Sequence, residues 1–238
     1  MSDDDTEFTI SLGVERGTRN LTGRVSDKPR WSPSFGINYQ SGRFFASTEL
    51  GLGYNLVQHG DVSGFVAIGA DPGRKAGDSQ HSPRLVGMGK VASAWLGMVG
   101  VRYQLLEGRV SISAVQVASS KRSQGSQTLI HAVLNFPIWE DRLSGSLSLG
   151  AAHADRSHAQ TYYGVSPAQS TRSGNPVYSP RGGWITCDTS VGLIYVLDSN
   201  WTASASVGRQ ERIGVASRSP LFDTKKSTVG SASVGYRF

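Results

Sequence analysis

The sequence predicts an all-β transmembrane protein, an antiparallel up-and-down barrel of about twelve strands. Three observations predict it: apolar and small polar residues alternate with a period of two, the connections alternate between short and long, and the composition is rich in Gly and poor in charge. The 238 residues carry 29 Gly, with 18% charged side chains. That balance argues against a helical protein, and the regular recurrence of apolar residues argues against disorder. The most apolar uncharged stretch, Val91 to Val101, is far short of the ~18 residues a membrane helix needs, and Gly and Ser interrupt it. A chain of this kind crosses a membrane only as a closed sheet.

The strands follow in order from the alternation. Phe8, Ile10, Leu12 and Val14 alternate with Glu7, Thr9, Ser11 and Glu15. Val110, Ile112 and Ala114 alternate with Ser111 and Ser113; the phase then slips at Val115 and Val117, which predicts a bulge. Leu143, Gly145, Leu147, Leu149 and Ala151 alternate with Ser144, Ser146 and Ser148, and Trp201, Ala203, Ala205 and Val207 with Thr202, Ser204, Ser206 and Gly208. In the last segment Gly230, Ala232, Val234, Tyr236 and Phe238 share one face. The apolar faces suit lipid and the small polar faces suit a narrow wet lumen. A soluble sandwich would turn the apolar set inward, and alternation alone does not distinguish the two.

Connection lengths do. Tight turns are predicted near Ser41-Gly42, His59–Asp61, Glu107-Gly108, Glu140–Arg142 and Ser199-Asn200, with longer loops near 17–30, 71–87, 119–126, 163–183 and 214–226. Short turns on one side and long loops on the other is the barrel layout. The strands then run roughly over 6–16, 31–40, 43–49, 52–58, 62–71, 87–104, 108–118, 126–138, 143–160, 184–198, 201–213 and 226–238. The break near Glu49-Leu50-Gly51 decides between twelve strands and eleven, and parity favours the break. Residues 1–5 form an acidic periplasmic tail, and 6–238 form one barrel domain. The polar start, Met1 to Asp5, lacks an apolar export segment, so the chain reads as a mature form with an added Met, its signal peptide gone.

A net charge of +6 and a pI near 9.6 raise nucleic acid as a partner. The distribution argues against it. All five long loops lean basic, from +1 over 71–87 to +3 over 17–30, while the rest of the chain is net acidic. Facing the outer leaflet, these Arg and Lys would anchor on the phosphates of lipopolysaccharide. A set of solvated basic loops is the plain alternative.

Sites for chemistry are sparse. One cysteine, Cys187, excludes an internal disulfide, and its register with Ile185, Thr189 and Val191 places it toward lipid. His153, Asp155 and His158 form the one acid and imidazole cluster, with His153 and Asp155 on one face of a strand and His158 on the other, short of the three or four convergent ligands zinc requires. No Gly-x-Ser-x-Gly and no Gly-Lys-Ser/Thr segment occurs, so the expectation is no enzyme, no metal and no cofactor. Tyr162, Tyr163, Gln169, Arg172 and Tyr178 combine aromatics with Arg on or beside the longest loop, a composition enriched in binding surfaces. The same residues would equally serve to brace a loop folded back onto the barrel. Val234, Tyr236 and Phe238 form the expected assembly signal. Glu7 and Arg237, both off the lipid face at the periplasmic end, are expected to pair across the seam between the first and last strands.

The run Gln160-Thr161-Tyr162-Tyr163-Gly164-Val165-Ser166-Pro167-Ala168-Gln169-Ser170, continuing through Arg172-Ser173-Gly174 to Tyr178, resembles the hallmark of the MipA/OmpV family, in which MipA stands for MltA-interacting protein. Arg43-Phe44-Phe45 with Gly51-Leu52-Gly53-Tyr54-Asn55-Leu56 is similar to that family's N-terminal half. The close, Ser233-Val234-Gly235-Tyr236-Arg237-Phe238, is similar too. The resemblance implies a bacterial outer-membrane location. It also implies a non-catalytic scaffold joining a lytic murein transglycosylase to a murein synthase; other members are described as adhesins or immunogens. The 71–87 loop departs from many relatives in being basic. The other function class is a small-solute channel with a narrow polar lumen, whose conductance would answer to lumen charges such as Arg102. A loop plugging the lumen from wall to wall would count against conduction.

Overall fold

In a computed structural model, residues 6–19, 25–74, 83–140 and 142–238 are described, with the side chains of 18–19 and 25–29 excepted. The acidic tail and Asp141 lie outside the described residues. Twelve antiparallel strands close into a barrel, each paired with its neighbours in sequence and β1 with β12. They are β1 (Thr6–Arg19), β2 (Val25–Ser41), β3 (Phe44–Ser47), β4 (Gly51–His59), β5 (Val62–Asp71), β6 (Ala94–Leu105), β7 (Val110–Ser119), β8 (Ser126–Trp139), β9 (Leu143–Ala154), β10 (Gly183–Val196), β11 (Trp201–Arg212) and β12 (Lys226–Arg237). Two helices, α1 (Arg156–Tyr163) and α2 (Pro167–Ser173), lie between β9 and β10.

The expected turns and the break before β4 are present. Gly42 and Gly60 take positive φ at their turns, and so do Leu106, Glu107 and Gly108 between β6 and β7. Four expectations need correction. The strand placed at 87–104 begins at Ala94, because Arg74 and Val91 bridge outside it and a 3₁₀ turn occupies Pro83–Leu85. The strand placed at 143–160 stops at Ala154, where Asp155 caps a helix instead. The first long loop is shorter than 17–30, since β1 reaches Arg19 and β2 starts at Val25. No bulge interrupts β7: its ladders to β6 and β8 run without a shift. Val115 and Val117 keep the lumen parity and pack there with Phe65, Ala67 and Met98, while Gln116 faces outward.

The two faces separate as the membrane requires. Leu12, Leu52, Ile68, Val99, Leu149, Val191 and Val207 are exposed on the outer face. On the lumen side, Ser hydroxyls join neighbouring strands at Ser148–Ser190 (2.5 Å), Ser204–Ser233 (2.8 Å) and Ser206–Ser231 (2.9 Å). Aromatics mark the periplasmic rim: Phe8 stacks on Phe238 at 5.2 Å, Trp201 meets Tyr236 at 4.9 Å, and Phe44 meets Tyr54 at 4.8 Å. Trp31, Trp95 and Trp184 stand exposed near the opposite ends of their strands. Two such girdles around an apolar band are the outer-membrane pattern.

Val99 lies midway between Trp95 and Tyr103 on β6, on the same outer face and 60% exposed. Val99→Arg should cost about 2–4 kcal/mol in reversible unfolding from lipid vesicles, the midplane value for a lipid-facing cation. Val234, Tyr236 and Phe238 form an outward row on and just beyond β12, across the seam from β1. Phe238→Ala removes the ring stacked on Phe8 and should lower the fraction with heat-modifiable mobility after folding. An unchanged fraction would count against an assembly role for this row.

Candidate functional site: a lid over the extracellular mouth

The strongest concentration of side-chain chemistry closes the end of the barrel away from the short turns. The chain leaves β9 at Ala154, and Asp155 takes the N-cap of α1. One carboxylate oxygen accepts from the His158 amide (2.7 Å), and the other from the Ser126 amide and hydroxyl (2.7 and 2.9 Å). Asp155 thus ties the start of α1 to the top of β8. Burial pushes its carboxyl up, but these hydrogen bonds outweigh it and hold the group below its usual value. Ala159 of α1 is fully buried against Ala152, Ala154, Ile185, Val215 and Ala216.

The sequence-predicted residues come together here, each with a fastening contact. Tyr162 donates to Asp71 at the end of β5 (2.5 Å) and stacks on His158 at 4.5 Å. The Tyr163 carbonyl accepts from the Ser219 hydroxyl (2.7 Å), and its ring lies 5.9 Å from that of Phe222. Gln169 completes a capping box with Ser166 at the start of α2 and donates to the Met88 carbonyl (2.9 Å). Arg172 donates to the Gly87 carbonyl (3.2 Å), at a crossing so tight that a Cβ on Gly87 would meet the Arg172 oxygen at 2.7 Å. Tyr178 donates to the Val215 carbonyl (2.8 Å) and pairs with Val165.

The segment therefore reaches the tops of β5, β8 and β11 and the loop before β6. A second apolar cluster, Leu85, Met88, Val165 and Leu221, locks these loops to one another, and Arg84 pairs with Asp223 at 2.9 Å across them. The result is a lid over the β5 to β11 side of the mouth. Sequence reasoning missed as fasteners Asp155, Ser219 and Asn175, whose side-chain amide donates to the Arg84 carbonyl (2.7 Å). The signal for Asp155 was present: Asp followed by Arg-Ser-His-Ala reads as an N-cap once the strand is allowed to end at Ala154.

Other candidates separate. His153 points outward against Trp184, centroids 5.5 Å apart, while Asp155 and His158 belong to the lid, so the three do not form a cluster. Among the described residues no group of three or more His, Cys, Asp or Glu could hold a metal ion. Cys187 is paired between Ala151 and Glu211 and shares the outward parity of Val191. Glu7 and Arg237 share the inner face, but the seam sets Arg237 opposite Thr9 rather than Glu7, and the guanidinium donates to the Ser199 carbonyl at 2.9 Å. The expected seam ion pair is not formed, because the register offsets the two by one pair on the same face.

Asp155→Ala should loosen the lid by about 1 kcal/mol, the usual value of an N-cap, without unfolding the barrel. The carboxyl is held below its unfolded value, so its contribution is complete above the ordinary Asp range and fades as pH falls through the lower folded value. Amide exchange at His158 and Ala159 should therefore rise in the variant at neutral pH, and in the wild type only in acid.

The chain is 31% identical over 97 residues to a protein of Escherichia coli (strain K12) named as an outer membrane protein, YiaT. That match covers 41% of this chain and 39% of the relative, so the chain spans well under two thirds of the curated relatives it matches. Solved barrels align over nearly the whole chain at low identity. The NanC porin matches at 8% identity (97% of this chain, 98% of that one, TM-score 0.43), and the outer membrane channel DcaP of Acinetobacter baumannii at 10% (98% and 96%, TM-score 0.39). The family described as MltA-interacting protein MipA matches residues 10–238. The twelve-strand barrel with girdles at both rims is an outer-membrane protein, and the chain belongs to the MltA-interacting protein MipA family.

Proposed function

We propose that the protein is a non-catalytic outer-membrane scaffold whose working surface is its periplasmic rim, with murein enzymes as partners. The observation that carries this reading is the lid: a mouth braced at the tops of β5, β8 and β11 is poorly suited to passing solutes, which leaves the periplasmic turns as the accessible face. The family's name, an interactor of MltA, supports a partner of the murein-transglycosylase class. A murein synthase would be the second client.

One turn is built in a way that stability does not explain. Leu106 (φ 52°) and Glu107 (φ 55°) are both left-handed, where Gly or Asn would serve without strain, and Leu106 is 70% exposed. An exposed apolar side chain held at such a site fits an interaction surface better than a hairpin optimised for folding. Glu140 is left-handed as well, at φ 42°. With Asp61 and Asp198 and the acidic sequence of residues 3–5, acidic groups outnumber Arg43, Arg109 and Arg142 of the turns, so this rim suits a partner with a basic face, and binding should weaken with salt because rim charges are screened within ~8 Å at physiological ionic strength.

The channel reading keeps one supporting feature, a lumen whose lining includes Arg102, Asn55, Gln40 and Glu7. Both readings are tested on one preparation. Salt-sensitive retention of a murein enzyme by a barrel silent in planar bilayers supports the scaffold, and steady conductance without retention rejects it. Replacing Leu106 by Asn and Glu107 by Gly should raise barrel stability by about 1–2 kcal/mol while lowering retention. Retention unchanged by the double substitution would remove this turn from the partner surface.

A further inference from the structure

The barrel wall is complete only in its periplasmic half. β3 is four residues long, and its ladder with β2 ends where Ser47 meets Asn38; the last contact of the hairpin is the Thr48 amide donating to the Ile37 carbonyl at 3.1 Å. β2 continues upward, paired with β1 alone, through Phe35, Pro33 and Trp31 to Arg30. On the other side of the hairpin, the β4–β5 ladder stops at Leu52 and Ile68, and β5 continues to Asp71 paired with β6 alone. Among the described residues a notch therefore opens above Thr48–Leu50, between the free edges of β2 and β5.

The notch faces hydrocarbon. Tyr39 belongs to the periplasmic girdle and Trp31 to the outer one, eight residues apart along β2. At ~3.3 Å per residue and a tilt of ~40°, that separation is about 20 Å of height. The β3 wall rises above Phe44 by three residues, only about 8 Å on the same reckoning. The upper half of the apolar band is thus open at this place.

The free edge has its own chemistry. Ile37 directs its amide and carbonyl toward the hairpin, so by the two-residue repeat Phe35, Pro33 and Trp31 direct theirs into the notch. Pro33 has no amide hydrogen to leave unpaired there, which is where an edge strand tolerates proline. The remaining polar groups are tolerated at this depth only beside a wet cavity. Such a cavity lies at the sill: about 280 Å³, with Phe45, Leu50 and Phe65 among its apolar lining and Glu7, Asn38, Asn55 and Arg102 among its polar lining. Arg102 forms no ion pair among the described residues.

We propose that the notch is a lateral port between the outer leaflet and the lumen, and that the cavity at its sill holds a single-chain amphiphile with an anionic head. The chain passes over Leu50 and Phe45 to the bilayer. The head sits at Arg102, Asn38 and Asn55. The small volume favours one chain over two, and Arg102, the one cation of the lining and not ion-paired with the Glu7 carboxylate that shares it, selects the sign of the head. The lid does not oppose this route, which enters below it, and the proposal stands apart from the partner reading of the periplasmic rim.

Two measurements decide it, both on the full barrel in lipid vesicles. A bimane label at Ser34→Cys, on the lumen face of β2 within the notch, is compared with one at Ser206→Cys on the closed wall, each with Cys187→Ser. Nitroxide-bearing acyl chains should quench the first several-fold more strongly than the second. Equal quenching would overturn the port, and so would dimers cross-linked through Ser34→Cys, which would assign the β2 edge to a second copy. For the head group the probe is cis-parinarate, whose binding should be saturable and weaken at least about tenfold in Arg102→Gln. Undiminished binding in a folded Arg102→Gln barrel would overturn the anionic head. Should that variant fail to fold, Asn55→Leu serves in its place, and undiminished binding to it would overturn the head position.

Discussion

In hydrocarbon a backbone amide or carbonyl without a partner costs several kcal/mol, and every feature of this molecule answers to that constraint. A twelve-strand sheet has two terminal edges, and these vanish because β1 and β12 pair from Thr9–Arg237 up to Arg16–Gly230, which leaves the upper parts of β2 and β5 paired on one side only. The period of the side chains follows from the closure. Once each strand is fixed between two neighbours, alternate residues meet lipid or lumen, and a slip of one residue would carry Leu12 and Val14 inside and Glu15 out. The constraint also explains why the wall can be cut low at β3 only beside a polar cavity.

The lumen is divided rather than uniform. Around β9 to β12 and β1 it is lined by Ser and Gly, whose hydroxyls bridge strand to strand and leave room for water. Around β3 to β7 it is narrowed by aromatic rings beside the cavity: the rings of Phe45 and Phe65 lie over Gly53 and Gly100, where a Cβ would come within 2.0 and 2.3 Å of the ring carbons. Those glycines are there for the rings. This apolar half of the lumen sits directly behind the low part of the wall, so the side of the barrel that is least closed is also the side best able to receive an apolar chain.

The lid draws its order from a different source. Its helices are eight and seven residues long, too short to hold themselves in water. They persist because both are capped by side chains and because Ala159, Val165 and Leu221 are fully enclosed. Packing and capping hold the lid, with the Arg84–Asp223 pair and the Arg172 contact to Gly87 added at its surface. The periplasmic turns are built otherwise: Leu106 and Glu107 hold left-handed φ, which Gly or Asn would adopt without strain.

By itself the sequence determined the strand number, the faces and the sidedness. Alternation is a local property, imposed on every strand by the contrast between lipid and lumen, so Leu147 against Ser146 or Ala205 against Ser204 is legible without coordinates. The break at Glu49–Gly51 was legible through parity, because a barrel that begins and ends on one side needs an even count. Tertiary structure decided what the loop residues touch. Whether Tyr162 and Tyr178 bind a partner or fasten a lid depends on Asp71 and Val215, which are remote in sequence and brought close by closure. Val115 and Val117 looked like a slipped phase because an apolar residue is expected outside, yet a partly apolar lumen accepts them without a bulge. Arg237 faced the expected side, but strand register, set by the whole seam, placed it one pair away from Glu7. The notch is the clearest case: β3 reads as a short strand in any pattern, and only the heights of its neighbours show that it leaves the wall open.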